Sequence, residues 1–259
     1  MITKIEFKDG PIKVDLSNPI DISIPLRAGH MNVNAWYVDP IKIEPVRTDK
    51  FTGSVAEGGS VNFRNIAFNP HGNGTHTECV GHIAKEVFNV NDSFDRYFFK
   101  AKLISIEPQE NGSEGEWEAP MDLVITLAQI RRALEENIPE AIIIRTLPND
   151  IEKNFRQYSN SNPAYIKAEA MLWLQKQGIQ HFLIDLPSVD REMDGGNMLA
   201  HRAWWSYPEK PRMNSTITEL IFVPNEVLDG DYIMDLQMAH FVNDASPSRP
   251  VLYKQLDEH

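Results

Sequence analysis

The chain has 259 residues, of which 42% are hydrophobic, and it carries 37 acidic against 25 basic side chains for a net charge of −12. This length and apolar fraction allow a substantial core and favour one domain over residues 1–259. The negative charge, with no basic run longer than Arg131-Arg132, disfavours nucleic acid and anionic membranes as partners and favours a small molecule or a protein.

No stretch of the sequence is typical of a targeting or membrane segment. Residues 1–15 alternate charged and apolar types, and nothing approaches the roughly 18 apolar residues of a membrane span. The single cysteine, Cys79, excludes an intrachain disulfide and fits a reducing compartment. We therefore expect a soluble, cytoplasmic protein, and we interpret Cys79 as a small buried apolar group rather than a ligand or nucleophile.

The first third of the chain predicts short strands joined by turns. The Asp9-Gly10 turn separates two of them, and the aromatic loop 27–40, which carries Trp36, is expected to cover a pocket. The strands predicted in this part are 5–7, 12–16, 19–25, 41–46 and 61–68.

The remainder predicts helices alternating with strands, which indicates a mixed α/β architecture. Thr126 and Gln129 form a capping-box pattern ahead of a helix, and Gly178 is placed to end a second helix that starts at 164. A third helix is expected at 197–205, and strands at 97–106, 141–145, 182–186, 217–223 and 232–242. His240 shares a face of the last strand with apolar residues, so we interpret it as a packed strand histidine.

The stretch 71–82 has the composition of a metal site. It places three histidines and a glutamate within twelve residues, and imidazole and carboxylate are the usual ligands of zinc and its first-row neighbours. In an extended segment His76 and Glu78 point to one side, and a turn after Glu78 could fold His82 back towards the same ion. A polar surface loop is the alternative.

Further carboxylates lie late in the chain. Glu219 lies inside the apolar run 217–223, where it must face solvent or a polar partner such as a metal, since an unpaired buried carboxylate costs several kcal/mol or more. Four polar residues lie at the end of the strand 182–186 or after it, before Gly195, and we interpret them as helix caps and turn formers rather than catalytic groups. They are Asp185, Ser188, Asp190 and Asp194.

Together these residues resemble the cyclase or bacterial kynurenine formamidase family of metal-dependent hydrolases, which includes isatin hydrolase relatives. The family signature His-x-Gly-Thr-His-x-Asp-x-Pro-x-His is matched at most positions by residues 74–82. Residues 21–26 look like the family's opening strand, and residues 184–190 look like its late Asp-x-Pro-Ser-x-Asp segment. The resemblance covers residues 20–225 and leaves an N-terminal extension at about 1–18.

The resemblance implies a β-rich cyclase-like (swivelling β/α) fold with a dimetal centre, usually zinc, and a homodimer. In such a centre the residue at position 78 bridges both ions, and manganese replaces zinc in some single-ion relatives. The implied ligands are Glu78 as the bridge, His71 and His76 on one ion, and His82, His201 and Glu219 on the other.

Three departures from the signature bear on the centre. His71 lies five residues before His76 rather than four. A one-residue bulge through Gly72 or Asn73 could restore its aim, and if the aim is not restored one metal is expected. Glu78 replaces Asp and reaches one methylene further, and Val80 replaces Pro without removing a ligand.

The expected function is that of a metal-dependent, arylformamidase-like amidohydrolase acting on a small amide, formamide or lactam. N-formylkynurenine is the best-known substrate of the family, and Glu78, His82 and His201 are expected near the reacting atoms. A histidine or carboxylate at the rim would have to protonate the departing amine. We also expect three exposed aromatic side chains to line an apolar pocket, namely Trp36, Trp204 and Trp205.

Two alternatives remain from the sequence. One is hydrolysis of an isatin-like cyclic imide with one metal. The other is a catalytically silent protein that only binds a metal or ligand. Structural zinc sites are closed and commonly rich in cysteine, whereas this chain has one cysteine, which favours the enzyme.

Overall fold

The computed structural model describes residues 1–134 and 138–256, and a nine-stranded sheet is its largest element. The strands are β1 (Ile2–Phe7), β2 (Gly10–Asp15), β3 (Ile20–Asp21), β4 (Lys42–Pro45), β5 (Arg47–Thr48), β6 (Phe51–Thr52), β7 (Arg64–Ala67), β8 (His76–Glu78), β9 (Phe98–Ile106), β10 (Gln109–Glu110), β11 (Leu123–Ile125), β12 (Ala141–Thr146), β13 (Tyr165–Ile166), β14 (His181–Ile184), β15 (Thr216–Glu219), β16 (Gly230–Asp235), β17 (Ala245–Pro247) and β18 (Val251–Lys254). The helices are α1 (Pro70–Asn73), α2 (Leu127–Leu134), α3 (Ala168–Lys176) and α4 (Leu199–Trp205).

The large sheet has a parallel centre and antiparallel flanks. Its strand order is β17-β8-β15-β14-β12-β9-β16-β18-β3, and β15, β14, β12 and β9 run parallel to one another. Every residue of β12 is buried, as expected for a strand covered on both faces. Ile142 and Ile144 pack with the apolar residues of α2, α3 and α4, whereas Ile143 packs in a second core on the opposite face. The mixed, β-rich α/β architecture predicted from the sequence is therefore confirmed.

Two predictions that depend only on residues close together in the chain, a hairpin turn and a capping box, are confirmed. Strands β1 and β2 pair as an antiparallel hairpin, with Gly10 at a φ of 122°. The Thr126 amide donates to Gln129 Oε1 at 2.9 Å, while the Gln129 amide donates to Thr126 Oγ1 at 3.3 Å, so the capping box forms as predicted.

Within the described residues, no helix has the length and apolar character needed to cross a membrane. That residues 1–18 are an extension stays a prediction.

The expectation of a strand over 232–242 with a packed His240 was wrong. Strand β16 ends at Asp235, and His240 is exposed. The chain leaves the sheet here because the next strand, β17, pairs with β8 at the far side of the sheet. Residues 236–244 must therefore connect β16, which lies between β9 and β18, to the edge strand β17.

The expectation that Trp204 and Trp205 are exposed was also wrong. Both are fully buried among the helices and the sheet. The Trp205 indole donates to the Ser215 carbonyl at 2.9 Å, and Trp204 packs edge-on against Phe182 with ring centroids 5.8 Å apart. These side chains contribute to the core and do not line a pocket.

A buried histidine at the start of β14 gives the fold a measurable pH dependence. His181 stacks on Phe94 with ring centroids 5.2 Å apart, and its Nδ1 lies 2.8 Å from Thr216 Oγ1. Burial, with smaller contributions from Arg96 and Arg212, lowers the pKa of His181 to about 3. An unfolded chain, in which histidine titrates near pH 6.5, therefore binds one more proton than the folded chain between those two pH values.

We expect this histidine to lower the free energy of unfolding by about 1.4 kcal/mol for each pH unit below about 6. The measurement is urea unfolding from pH 7 to pH 4.5 for the wild type and His181→Phe, which keeps a ring but cannot titrate. The free energy of unfolding of the wild type should fall more steeply as the pH is lowered, by the slope that corresponds to one proton. The other titratable groups are the same in both proteins, so their contributions cancel in the comparison. Parallel pH profiles would contradict the expectation.

Candidate metal centre

Strand β8 and the turn after it bring together the central residues of the cluster predicted at 71–82. The alternation of the strand places His76 and Glu78 on one face, with His76 Nε2 4.0 Å from Glu78 Oε2. A 3-10 turn at Val80–His82 then reverses the chain. It leaves His82 Nδ1 3.7 Å from Glu78 Oε2. Both expectations, the shared face and the returning turn, are confirmed.

Glu219 faces this group from the neighbouring strand. In the antiparallel pairing of β15 with β8, Glu219 lies opposite His76, and its Oε2 is 3.5 Å from His76 Nε2. Its other oxygen accepts the Val189 amide at 3.1 Å. The anomalous carboxylate of the apolar run is thus buried with polar partners, as its position required.

His201 approaches the same group from α4, and Asp190 holds its ring. The Asp190 carboxylate accepts the amides of Ala200 at 2.7 Å and His201 at 3.1 Å, and it lies 2.5 Å from His201 Nδ1. The opposite nitrogen, Nε2, lies 3.1 Å from Glu78 Oε1. Asp190 therefore caps the start of the helix, as predicted, and also orients the imidazole towards Glu78.

The other late carboxylates have structural roles, but only Asp194 has the turn-forming role predicted for it. Asp194 accepts the amides of Gly196 and Met198 at 2.8 and 2.6 Å and so closes a turn. Asp185 accepts the Thr146 amide at 2.9 Å and forms a buried ion pair with Lys153. Neither takes part in the histidine cluster.

His71 reaches the cluster from the helical turn α1, and not through the bulge that the sequence suggested as one possibility. The Asn69 side chain accepts the amides of His71 at 2.9 Å and Gly72 at 3.2 Å, and Pro70 opens the turn. Gly72 is required because a Cβ there would lie 2.6 Å from Val38 Cγ2. The turn accommodates the five-residue spacing and leaves His71 Nδ1 3.0 Å from Glu78 Oε2.

One residue of the cluster was missed in the sequence. Asp244 Oδ2 lies 3.0 Å from His71 Nε2 and 3.6 Å from His82 Nδ1. It lies directly before β17 and two residues beyond the strand predicted at 232–242. No spacing or periodic pattern marks it, and only the pairing of β17 with β8 brings it to the site.

Opposite charges within the cluster stabilise one another. Burial acts to raise the pKa of Glu78, but the facing His82, His201 and His71 outweigh it and hold that pKa well below its usual range. Burial acts to lower the pKa of His71, yet Asp244 and Glu78 raise it to about 10. Without an ion, protons on His71 and His201 balance the carboxylates, because the pKa of each is raised by the carboxylates it faces. A metal must displace those protons, so its binding should release protons to solution.

The donor atoms present fit a divalent metal ion. His76 Nε2 is buried and makes no hydrogen bond within the described part of the chain, a condition that costs about 1–3 kcal/mol unless something else binds the atom. Nitrogen and carboxylate donors suit zinc and its first-row neighbours. Three sets of ligand atoms lie within 4.8 Å of one another: His71, His76 and Glu78; His71, His82 and Asp244; and Glu78, His82 and His201.

A cavity of about 610 Å³ opens beside the cluster. His71, His82 and Glu219 line one part of it, and Trp36 and Ile83 supply apolar wall. Of the three tryptophans expected at a pocket, Trp36 is the one found there. It is held in the left-handed region at a φ of 60°, and the next residue is anchored because the Tyr37 amide donates to Ser159 Oγ at 2.9 Å.

Cys79 has the structural role expected of it. The residue is 1% exposed, and burial raises the pKa of its thiol to about 11. A thiolate is therefore not available at neutral pH.

Comparisons with known proteins give a family match and several structures with a similar fold. The Cyclase family model matches residues 14–191. An isatin hydrolase with the product analogue thioisatinate bound superposes with a TM-score of 0.64 at 13% identity, over 92% of this chain and 93% of that one. Isatin hydrolase A from Labrenzia aggregata gives 0.62 at 15% identity, over 91% and 93% of the two chains.

A third structure, a "predicted metal-dependent hydrolase" from Bacillus stearothermophilus, gives a TM-score of 0.59 at 18% identity, over 91% of this chain and 98% of that one. At these identities the likeness is one of fold, and the expected cyclase-like fold is thereby confirmed. No curated protein matches the sequence.

Proposed function

This chain belongs to the Cyclase family, and from that membership we propose that it is a metal-dependent hydrolase of a small amide, formamide or lactam. The observation that carries the proposal is the buried ligand atom His76 Nε2, which makes no hydrogen bond within the described residues although it faces Glu219 at 3.5 Å and Glu78 at 4.0 Å. It belongs to a cluster that borders a cavity of suitable size for a single-ring substrate, about 610 Å³.

We assign the metal centre to the six side chains expected from the sequence. Glu78 is the central ligand because its two oxygens face different histidines, with Oε1 3.1 Å from His201 Nε2 and Oε2 3.0 Å from His71 Nδ1. Zinc or manganese held there supplies a Lewis acid that lowers the pKa of a water molecule and polarises the scissile carbonyl. The proposed ligands are His71, His76, Glu78, His82, His201 and Glu219.

The surrounding residues of this chain orient the ligands and bind the substrate. Asp190 fixes the His201 ring, and the Val189 amide fixes the Glu219 carboxylate. Trp36 and Ile83 offer apolar surface for the ring or alkyl part of a substrate and exclude water from it. With such a centre no serine or cysteine nucleophile is needed, which agrees with the buried thiol of Cys79.

N-formylkynurenine is the first substrate to consider, because it joins a formamide to an aromatic ring that would pack against Trp36. Isatin is the second, and the fold likeness to isatin hydrolases supports it. Both present an amide carbonyl next to an aromatic ring. The identity of the metal as zinc and the homodimer implied by the resemblance stay predictions.

The experiment is a hydrolysis assay with the purified protein, stripped with a chelator and reloaded with zinc or manganese. We expect hydrolysis of N-formylkynurenine or isatin to disappear with the metal and to return on reloading. Glu86→Gln, a change at an exposed position just after the metal-binding turn, should behave like the wild type. A loaded protein that turns over neither compound would contradict the proposal and favour a protein that only binds a ligand.

A further inference from the structure

An arginine in the wall of the cavity has hydrogen-bond donors without partners. Arg202 follows His201 in α4, is half-buried and lines the cavity beside the metal cluster. Its Nε donates to the Asn197 carbonyl at 2.9 Å. Among residues 1–134 and 138–256, its two terminal nitrogens have no hydrogen-bond or ion-pair partner. Both NH2 groups of this guanidinium are therefore available to a ligand.

Two contacts fix the position of the Arg202 guanidinium. The Asn197 carbonyl that accepts its Nε belongs to a turn, in which the Asn197 amide donates to the Asp194 carbonyl at 3.3 Å. The Arg202 Cζ also lies 5.7 Å from the ring centroid of Tyr207, within the range at which a ring face attracts a cation. The Tyr207 hydroxyl accepts the Lys85 amide at 3.3 Å, which ties the ring to the segment after the metal-binding turn. A side chain held in this way loses less conformational entropy when it binds a ligand.

The other charged side chains that line the cavity outside the metal cluster have partners in the protein. Nε and Nη2 of Arg191 donate to the Asp122 carboxylate at 2.8 and 3.2 Å. The Glu192 carboxylate accepts the amides of Asn160 and Asn162 at 2.6 and 3.0 Å. The remaining two carboxylates accept backbone amides at the start of α4. Among these described residues, the arginine of α4 is thus the cation whose charge no side chain of the protein binds.

A carboxylate is the ligand that these free donors fit. The planar NH2 groups of an arginine match the two oxygens of a carboxylate. Other carboxylates line the same cavity, and the chain carries a net charge of −12, so an anionic substrate is repelled unless a cation binds its charge. His82 and Glu219 of the metal cluster line this cavity as well. A substrate that reaches both the cluster and Arg202 therefore carries an amide and, apart from it, a carboxylate.

We propose that Arg202 binds a carboxylate of the substrate, so that the substrates of this hydrolase are amides or formamides that carry a carboxylate outside the bond to be cleaved. This inference rests on the proposed metal-dependent hydrolysis and adds a substrate class to it. Of the two candidate substrates, N-formylkynurenine carries such a carboxylate and isatin does not. The arginine selects the substrate by its charge, whereas the metal centre acts on the amide.

The test compares two formamides on the zinc-loaded protein, N-formylkynurenine and N-formylkynuramine, which is the same molecule without the carboxylate. For the wild type, kcat/KM should be about 10- to 100-fold higher for N-formylkynurenine, the range expected for a charge-assisted hydrogen-bonded pair. Arg202→Met should bring the two values together, mainly by raising KM for N-formylkynurenine. Arg202→Lys should keep part of the preference because it keeps the charge. Arg132→Met, at an exposed arginine of α2, should keep all of it.

The ratio of the two kcat/KM values is the quantity that decides the inference. Both are measured on one preparation, so a partly unfolded variant leaves their ratio unchanged. A wild-type ratio near one would overturn the role of Arg202 and leave the proposed hydrolysis standing. An unchanged preference in Arg202→Met would also overturn it, because some other group, such as the metal, would then bind the carboxylate.

A binding measurement distinguishes failure of this inference from failure of the proposed function. Calorimetry with kynurenine and kynuramine, the two molecules without the formyl group, needs no turnover. Kynurenine should bind the wild type about 10- to 100-fold more tightly than kynuramine, and Arg202→Met should remove the difference. If the wild type shows that difference but hydrolyses neither formamide, the carboxylate site stands and the proposed function fails. If it shows neither hydrolysis nor a difference in binding, both are overturned.

Discussion

Replacing Glu78 by Gln is expected to lower the metal affinity and the metal-dependent hydrolysis of this protein by more than about 100-fold. The amide keeps the size of the side chain but removes its charge. It also turns N–H groups towards histidines that lie 3.0 and 3.1 Å from the carboxylate oxygens. Because neither oxygen position can then serve as an anionic ligand, metal binding at the whole centre should weaken.

The same substitution should change the metal-free protein. The negative charge of Glu78 stabilises the protonated form of His201. Both side chains are buried, so little water is available to stabilise that charge once the carboxylate is removed. Loss of one partner of a buried charged group costs about 3–5 kcal/mol. Calorimetric zinc titration and chemical unfolding of Glu78→Gln and Glu86→Gln, side by side, measure both effects. Equal zinc affinity in the two variants would exclude Glu78 as the central ligand.

The second large effect is expected at Lys153, which lies away from the metal ligands but supports the loop that reaches them. Its Nζ donates to the Thr146 carbonyl at 2.6 Å and lies 2.8 Å from Asp185 Oδ2. Both charged side chains are almost fully buried. Asp185 follows β14 directly and starts the segment that ends at Asp190, the residue that orients His201.

Lys153→Met should therefore lower the free energy of unfolding by about 3–5 kcal/mol, because it leaves the Asp185 carboxylate buried without a countercharge. Burial already acts to raise the pKa of Asp185, and Lys153 opposes that effect. Without the lysine, the pKa of Asp185 should rise further. The double variant Lys153→Met/Asp185→Asn should recover part of the loss. Urea unfolding at pH 7 measures it, and a loss under about 1 kcal/mol in the single variant would show that the pair is not a major support.

The features that could be predicted from the sequence are those fixed by residues close together in the chain. The capping box at Thr126, the hairpin turn at Gly10 and the shared face of His76 and Glu78 each depend on a few neighbours. The family signature added His201 and Glu219, which no local rule connects to the motif. The placement of His71 needed the structure, because its spacing alone could not distinguish a bulge from a helical turn.

The features that could not be predicted depend on strand order and on the direction of helix faces. Asp244 reaches the site only because β17 pairs with β8, a contact between residues far apart in the chain. Trp204 and Trp205 follow His201 by three and four residues, so they share the buried face of α4. The alternation over 232–242 continues beyond Asp235 although the strand does not, because periodicity alone does not reveal where a strand loses its partner.

The most direct test of the metal-dependent account is anomalous scattering from crystals of the protein grown with zinc, recorded on both sides of the zinc absorption edge. We predict a strong anomalous peak among the six proposed ligands beside the cavity, which are His71, His76, Glu78, His82, His201 and Glu219. Crystals that contain zinc elsewhere but show no peak among these six side chains would contradict the account.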